Sequence, residues 1–184
     1  MTPDATTYVG TIYEYTVFAA LSALRMKLGR CGMPGDRGID LRGTWDIPGL
    51  PKEDPNSSGI PIVVSCKAHK LTSGPVQIRE LEGALGSSSQ DTIGILATIS
   101  SCTRGAISQM LLSRRPLAYC YVKPYADGGQ LQQFVWNSAA GILLQGLEAK
   151  MRYSVGKGEE IKGEMVLTFN GKALSRNSRK PKEI

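Results

Sequence analysis

Apolar residues recur near the N-terminus at Tyr13, Val17, Phe18, Leu21, Leu24 and Leu28. Steps of three and four put them on one helical face, so the pattern predicts a helix from Thr7 to Leu28, closed by Gly29. The period then changes to two. In "IDLRGTW", Ile39, Leu41 and Gly43 alternate with Asp40, Arg42 and Thr44, which predicts a half-buried strand from Ile39 to Trp45 whose polar side begins at Asp40. Asp46 to Gly59 carries Pro48, Pro51 and Pro55 among small polar residues and reads as a surface loop. Ile60 to Lys67 is short, β-branched and almost wholly apolar, the signature of a buried strand. Ser73, Gly74 and Pro75 open a second helix, Val76 to Gly86, with Ile78, Leu81 and Leu85 on its apolar side. Thr92 to Ile99 is another buried strand; Ser100 to Ser113 supplies hydroxyl caps and a third helix, and Leu117 to Val122 a further strand. Beyond Gln130 the pattern predicts a short strand at Leu131 to Trp136, a helix from Asn137 to about Leu147, a hairpin from Met151 to Phe169 and a flexible tail from Leu174. Helices and strands in this order predict an α/β sandwich around a central sheet.

The 184 residues suit a single domain over residues 7–170, with a core at about 7–123, an extension at about 130–170 and a basic tail at 171–184. No internal repeat is visible. The chain has no apolar run long enough for a membrane span. Its first residues lack both the apolar stretch of a signal peptide and the Arg-rich character of a transit peptide, so no targeting segment is expected within it. The formal charge is +6, and Lys172, Arg176, Arg179, Lys180, Lys182 and Glu183 together account for four of those charges. The body is therefore only mildly basic, a balance that permits a polyanion such as nucleic acid and equally describes a solvated tail. The cysteines, Cys31, Cys66, Cys102 and Cys120, form no C-x-x-C pair, and His69 is the sole histidine, so no zinc site of ordinary spacing is expected. Cys66 and Cys120 fall inside apolar strands, as small buried hydrophobes suited to a reducing compartment.

Candidate chemistry gathers at the strand ends. Glu14 precedes Val17, Phe18 and Leu21 by three, four and seven residues, so it points towards the apolar face and needs a partner there. Asp40 follows a glycine-rich turn; Lys67 ends its strand with Ser65 on the same side two residues before. If the two strands pair across the 46–59 loop, Asp40, Ser65 and Lys67 converge. Two carboxylates and a strand carbonyl are hard oxygen donors suited to Mg²⁺, and a lysine beside them can orient a water for attack on phosphorus. The product of that chemistry is a cut phosphodiester. Taken singly, each residue has a plainer explanation: Asp40 as a turn residue, Glu14 as a solvated helix charge, Lys67 as a snorkelling strand end. Asp36, separated from the strand by Arg37 and Gly38, is read as turn and not ligand. His69 and Lys70 suit phosphate contact or an exposed loop end. Ser100, Ser101, Thr103 and Arg104 open a helix whose free N–H groups favour anions, though ordinary capping explains the hydroxyls equally. Trp45 and Trp136 are read as packing residues, since no basic residues interleave with them.

The order "YE" (Tyr13, Glu14), "GDRGID" (Gly35–Asp40), "VVSCK" (Val63–Lys67), "VQIRELEGAL" (Val76–Leu85) and "GILATISSCTRGA" (Gly94–Ala106) resembles the Mrr-type branch of the PD-(D/E)xK nuclease superfamily, over about Tyr8 to Val122. Within it the chain is most similar to the fungal mitochondrial "required for respiratory growth" proteins that carry a restriction-endonuclease-like domain. The resemblance implies a restriction-endonuclease-like core with a C-terminal α+β extension, a mitochondrial location, and a metal-dependent DNA endonuclease or a DNA-maintenance factor derived from one. It makes Asp40 the metal-binding aspartate, Glu14 the helix glutamate and Lys67 the catalytic lysine. Mg²⁺ or Mn²⁺ would be held by Asp40, Glu14, the Cys66 carbonyl and Glu80. Gln77, His69, Lys70 and Arg104 would face DNA, and a homodimer is among the implied partners. The chain departs from the pattern at Ser65, where the family has Glu, Asp or Gln. Either the following helix supplies the missing acid through Glu80, which matches the family's "REL", or through Glu82, with Glu80 preferred; or the site has decayed into a DNA-binding module. A third reading has residues Gln130 to Phe169 docking a protein partner.

Overall fold

The computed structural model describes residues 5–31, 38–50, 59–68, 73–155 and 161–174. The turn around Asp36 and residues 175–184 lie outside the described residues, as does most of the 46–59 loop; the expected tail does not start at 171, since Lys172–Ala173 form a strand and Leu174 is buried in the core. Helix α1 (Ala5–Ser22) leads into strands β1 (Met26–Arg30), β2 (Leu41–Trp45) and β3 (Ile60–Lys67). Helix α2 (Pro75–Ala84), strand β4 (Ile93–Thr98), helix α3 (Arg104–Leu112) and strand β5 (Leu117–Val122) follow, and then β6 (Leu131–Trp136), helix α4 (Ser138–Leu143), β7 (Leu147–Val155), β8 (Ile161–Phe169) and β9 (Lys172–Ala173). The first six strands form one mixed sheet in the order β1-β2-β3-β4-β5-β6, parallel between β3, β4 and β5 and antiparallel elsewhere. Strands β7, β8 and β9 make a second, antiparallel sheet. The expected α/β architecture holds in this form.

Helix α1 covers one face of the main sheet, where Tyr13, Val17 and Leu21 pack with Leu41, Trp45, Val64, Ile95, Cys120 and Phe134. Helices α2 and α3, the crossovers of the parallel strands, cover the other face, where Ile78, Leu81 and Met110 meet Val63, Leu96 and Tyr119. Covered on both sides, β4 is buried at every position, which is why its sequence is without polar side chains up to the terminal Thr98. Gly94 on β4 is required by this packing: a Cβ there would lie 2.8 Å from Leu85 and 3.2 Å from Leu81. Trp45 is a core residue, its ring N–H donating to the Leu24 carbonyl at 3.0 Å and its edge facing Phe134 at 5.6 Å. Trp136 lies beside Phe134 with ring centres 6.0 Å apart, also a packing position. No disulfide joins the four cysteines, and burial pushes the thiols of Cys66 and Cys120 well up from their ordinary range. Among the described residues no helix is long and apolar enough to cross a membrane.

Two boundaries differ from the expectation. The first helix stops at Ser22 and not at Leu28, because Arg25 takes a left-handed conformation (φ 71°) and turns the chain into β1. That conformation costs about 1–2 kcal/mol for a residue with a Cβ. Ties to the end of β2 offset it: the Arg25 Nε donates to the Asp46 carbonyl at 3.3 Å and the Asp46 N–H to the Arg25 carbonyl at 3.3 Å. Likewise α4 ends at Leu143, and Leu147 already belongs to β7 after Gly146 turns the chain at φ 94°.

Candidate functional site

β2 and β3 run antiparallel with Leu41, the first residue of β2, opposite Val64, and the pairing stops there while β3 continues through Lys67. The sheet therefore opens a fork beyond Leu41. Asp40 stands in it. Its N–H donates to the Val64 carbonyl at 2.9 Å, and its carbonyl accepts from the Cys31 N–H at 2.9 Å. The strand alternation breaks at this residue, for Ile39 packs on the α2 face while Leu41 packs on the α1 face. Asp40 turns its carboxylate along the sheet, and Oδ2 accepts from the Cys66 N–H at 2.6 Å, a backbone donor that a longer β2 would have taken. Peptide groups of alternate residues face one edge of a strand, so the Cys66 carbonyl faces this same fork.

The carboxylate in the fork is reached from both faces of the sheet. Burial raises the Asp40 pKa above its ordinary range, the Cys66 N–H opposes that shift, the negative charge of Glu14 adds to it, and Lys67 and Arg30 pull it back. Glu14, Lys67 and Arg30 thus each act electrostatically on Asp40. Glu14 sits at the margin of the buried side of α1, next to Tyr13, with 21 % of its side chain exposed. Its partner is Arg30 at the end of β1, with Nη2 at 2.6 Å and Nε at 3.1 Å from Oε2. Arg30 also donates from Nη1 to the Tyr15 hydroxyl at 3.0 Å and lies 4.5 Å from the centre of that ring. The glutamate holds the Arg30 pKa above its ordinary value.

On the other face Lys67 places Nζ 3.4 Å from Oε2 of Glu80 on α2. Ser65, two residues before it, is buried at 4 % exposure. Glu82 is not part of this group: its carboxylate accepts from the Ser113 hydroxyl and from Gln109 Nε2 at 3.5 Å, at the far end of α3. Of the two helix acids, the structure brings Glu80 to the lysine and leaves Glu82 elsewhere. Gln77 caps α2 through its Oε1, which accepts from the Gly74 N–H at 2.8 Å. Arg104 is exposed at the first turn of α3, which Thr103 caps by accepting from the Ala106 N–H at 3.2 Å. Both helices begin where β3 and β4 end, so Gln77 and Arg104 stand at the same end of the sheet as Lys67. His69 and Lys70 lie outside the described residues.

Arg30 and Tyr15 were missed by sequence reasoning because β1 was absorbed into the first helix. The usable signal was the alternation of Met26 and Leu28 with Lys27 just before Gly29 and Arg30.

Fold and site together define an α/β protein whose mixed six-stranded sheet gathers three acids, a lysine and an arginine where two of its strands part. The chain belongs to the family described as "Required for respiratory growth protein 7", which it matches over residues 5–59 and 51–153. An uncharacterized mitochondrial protein of Schizosaccharomyces pombe is 39% identical over 148 residues, covering 79% of this chain and 57% of that protein. Required for respiratory growth protein 7 of Eremothecium gossypii, also named as mitochondrial, is 29% identical over 189 residues and is matched over 78% of each chain. The chain thus spans little more than half of the S. pombe relative. Both relatives are named as mitochondrial proteins, and the chain is accordingly a mitochondrial protein, as the resemblance implied. No solved structure matches the chain.

Proposed function

We propose that the protein is a divalent-metal-dependent DNA endonuclease of restriction-endonuclease-like fold, acting in mitochondrial DNA maintenance. The observation that carries this reading is the Asp40 carboxylate in the strand fork, within electrostatic reach of both Glu14 and Lys67. Among the described residues no three acidic, histidine or cysteine side chains are close enough to form a complete metal cage. The donor set instead suits an ion that keeps most of its waters: Asp40, Glu14 and the Cys66 carbonyl are all hard oxygens, as Mg²⁺ or Mn²⁺ prefers. Burial first, and the charge of Glu14 after it, raise the Asp40 pKa, and a divalent ion held by these oxygens would oppose both effects. When bound, the ion would stabilise charge building on the phosphate oxygens.

The chain's own residues would do the rest. Lys67 donates from Nζ to the attacking water and orients it. Glu80 anchors that ammonium and supplies from α2 the carboxylate that β3 lacks at Ser65, which contributes at most through a bound water. The water oxygen bonds to phosphorus, the bond to the leaving sugar oxygen breaks, the water gives up a proton and the leaving oxygen takes one. Gln77 and Arg104, at the same end of the sheet, would meet the DNA backbone, and cutting both strands of a duplex would call for a homodimer. The buried serine favours a second reading, a DNA-binding module without catalysis, which needs neither metal nor Lys67.

Cleavage of supercoiled, linear and branched DNA with Mg²⁺ or Mn²⁺ tests the two. The nuclease reading expects metal-dependent cutting that falls at least about 100-fold in both Asp40→Ala and Lys67→Ala. No cutting on any substrate, with DNA binding unchanged in both variants, would establish the binding module instead.

A further inference from the structure

Arg30 is the one member of the cluster without a part in this chemistry. It is a cation lying where the proposed metal must reach, since the carboxylate it holds is that of Glu14. Its side chain is 38% exposed and Glu14's 21%. An ion pair this close to solvent is weak, so a divalent ion can displace it at little cost. The guanidinium would not be lost from the site on release. Its bond to the Tyr15 hydroxyl and its stacking on the Tyr15 ring do not involve Glu14, and both keep it at the α1 side of the fork.

Charge points to what it would hold next. Asp40, Glu14 and Glu80 against Lys67 and Arg30 leave one net negative charge in the cluster. A divalent ion turns that into one net positive charge, matching a single phosphodiester. A planar guanidinium fits phosphate oxygens as well as it fits a carboxylate.

We propose that Arg30 is a substrate-binding residue that exchanges partners: it holds Glu14 until a divalent cation takes that carboxylate, and then holds a phosphate oxygen of the DNA beside the fork. The exchange rests on the nuclease reading. It gives Arg30 opposite effects on the two ligands, because the residue competes with the metal and assists the DNA.

The test titrates Mn²⁺ alone, and separately measures duplex DNA binding in Ca²⁺ over a range of salt, for wild type, Arg30→Gln, Arg30→Lys and Asp40→Ala, each checked for wild-type thermal unfolding. Arg30→Gln should bind Mn²⁺ several-fold more tightly than wild type. It should bind DNA about tenfold more weakly, with the salt slope reduced by about one, and Arg30→Lys should recover part of the DNA affinity. Equal weakening of both ligands in Arg30→Gln would make Arg30 a structural support and overturn the exchange. Unchanged DNA affinity beside tighter Mn²⁺ binding would reduce it to a counter-ion of Glu14 and also overturn it. If wild type shows no Mn²⁺ site that Asp40→Ala removes, the nuclease reading itself has failed and the exchange falls with it.

Discussion

The Asp40 carboxylate is held by burial and by Glu14 in a place that favours its protonated form, and only the Cys66 N–H and two nearby cations oppose them. The folded protein therefore binds this proton more tightly than the unfolded chain does. The stability linked to it is fully present below the ordinary carboxylate range and is lost as the pH rises through the raised value. At neutral pH the ionised group is a liability, which Asp40→Asn removes while its amide oxygen goes on accepting from Cys66. Without metal, this variant should be more stable than wild type at pH 7 by about 1 kcal/mol, or about 2–4 °C in Tm. Following Tm from pH 3.5 to 7 should show the advantage of the variant growing with pH. An advantage that shrinks as pH rises would mean that the fork stabilises the carboxylate.

Among the elements, the joint between α3, β5 and α4 depends on a buried side chain that sequence reasoning took only for a helix start. Asn137 accepts through Oδ1 from the Leu117 N–H at 3.1 Å and the Ala140 N–H at 3.0 Å. Its Nδ2 donates to the carbonyls of Met110, Ser113 and Arg115 at 3.1, 3.2 and 2.8 Å. Asn137→Ala leaves several of these buried groups without a partner and should cost about 3 kcal/mol or more, read from urea unfolding midpoints. A loss below about 0.5 kcal/mol would mean that water replaces the amide. Local pattern located most elements but not these long-range ties. β4 and β5 were legible because parallel strands covered on both faces must be apolar throughout. β1 was not, since Leu21, Leu24 and Leu28 fit a helical period while Met26 and Leu28 also fit a strand, and the turn at Arg25 is set by contacts with Asp46. Of the candidate site residues, Asp40 and Lys67 were legible as residues at strand ends, whereas which helix acid lies beside Lys67 turns on Ser113 and Gln109, which hold Glu82 elsewhere.

Across the whole molecule, the C-terminal third is not an appendage to a core that ends near Val122. β6 is the sixth strand of the main sheet, and Phe134, Leu147, Leu167, Phe169 and Leu174 pack into the same apolar cluster as α1. A chain ending at Gly129 should therefore show no cooperative unfolding transition and little near-ultraviolet circular dichroism; a sharp transition would mean that residues before β6 fold alone. The unity of the fold also makes global stability a reporter of the fork. Scanning calorimetry of wild type and Asp40→Asn, each with and without saturating Mn²⁺, tests the central claim most directly. A ligand at about 100 times its Kd adds about 2.7 kcal/mol of stability. The order of stability should accordingly invert, with the variant melting higher without metal and wild type melting higher with it. If Mn²⁺ moves both proteins equally, or neither, Asp40 does not anchor a metal and the fork is not the nuclease centre proposed for it.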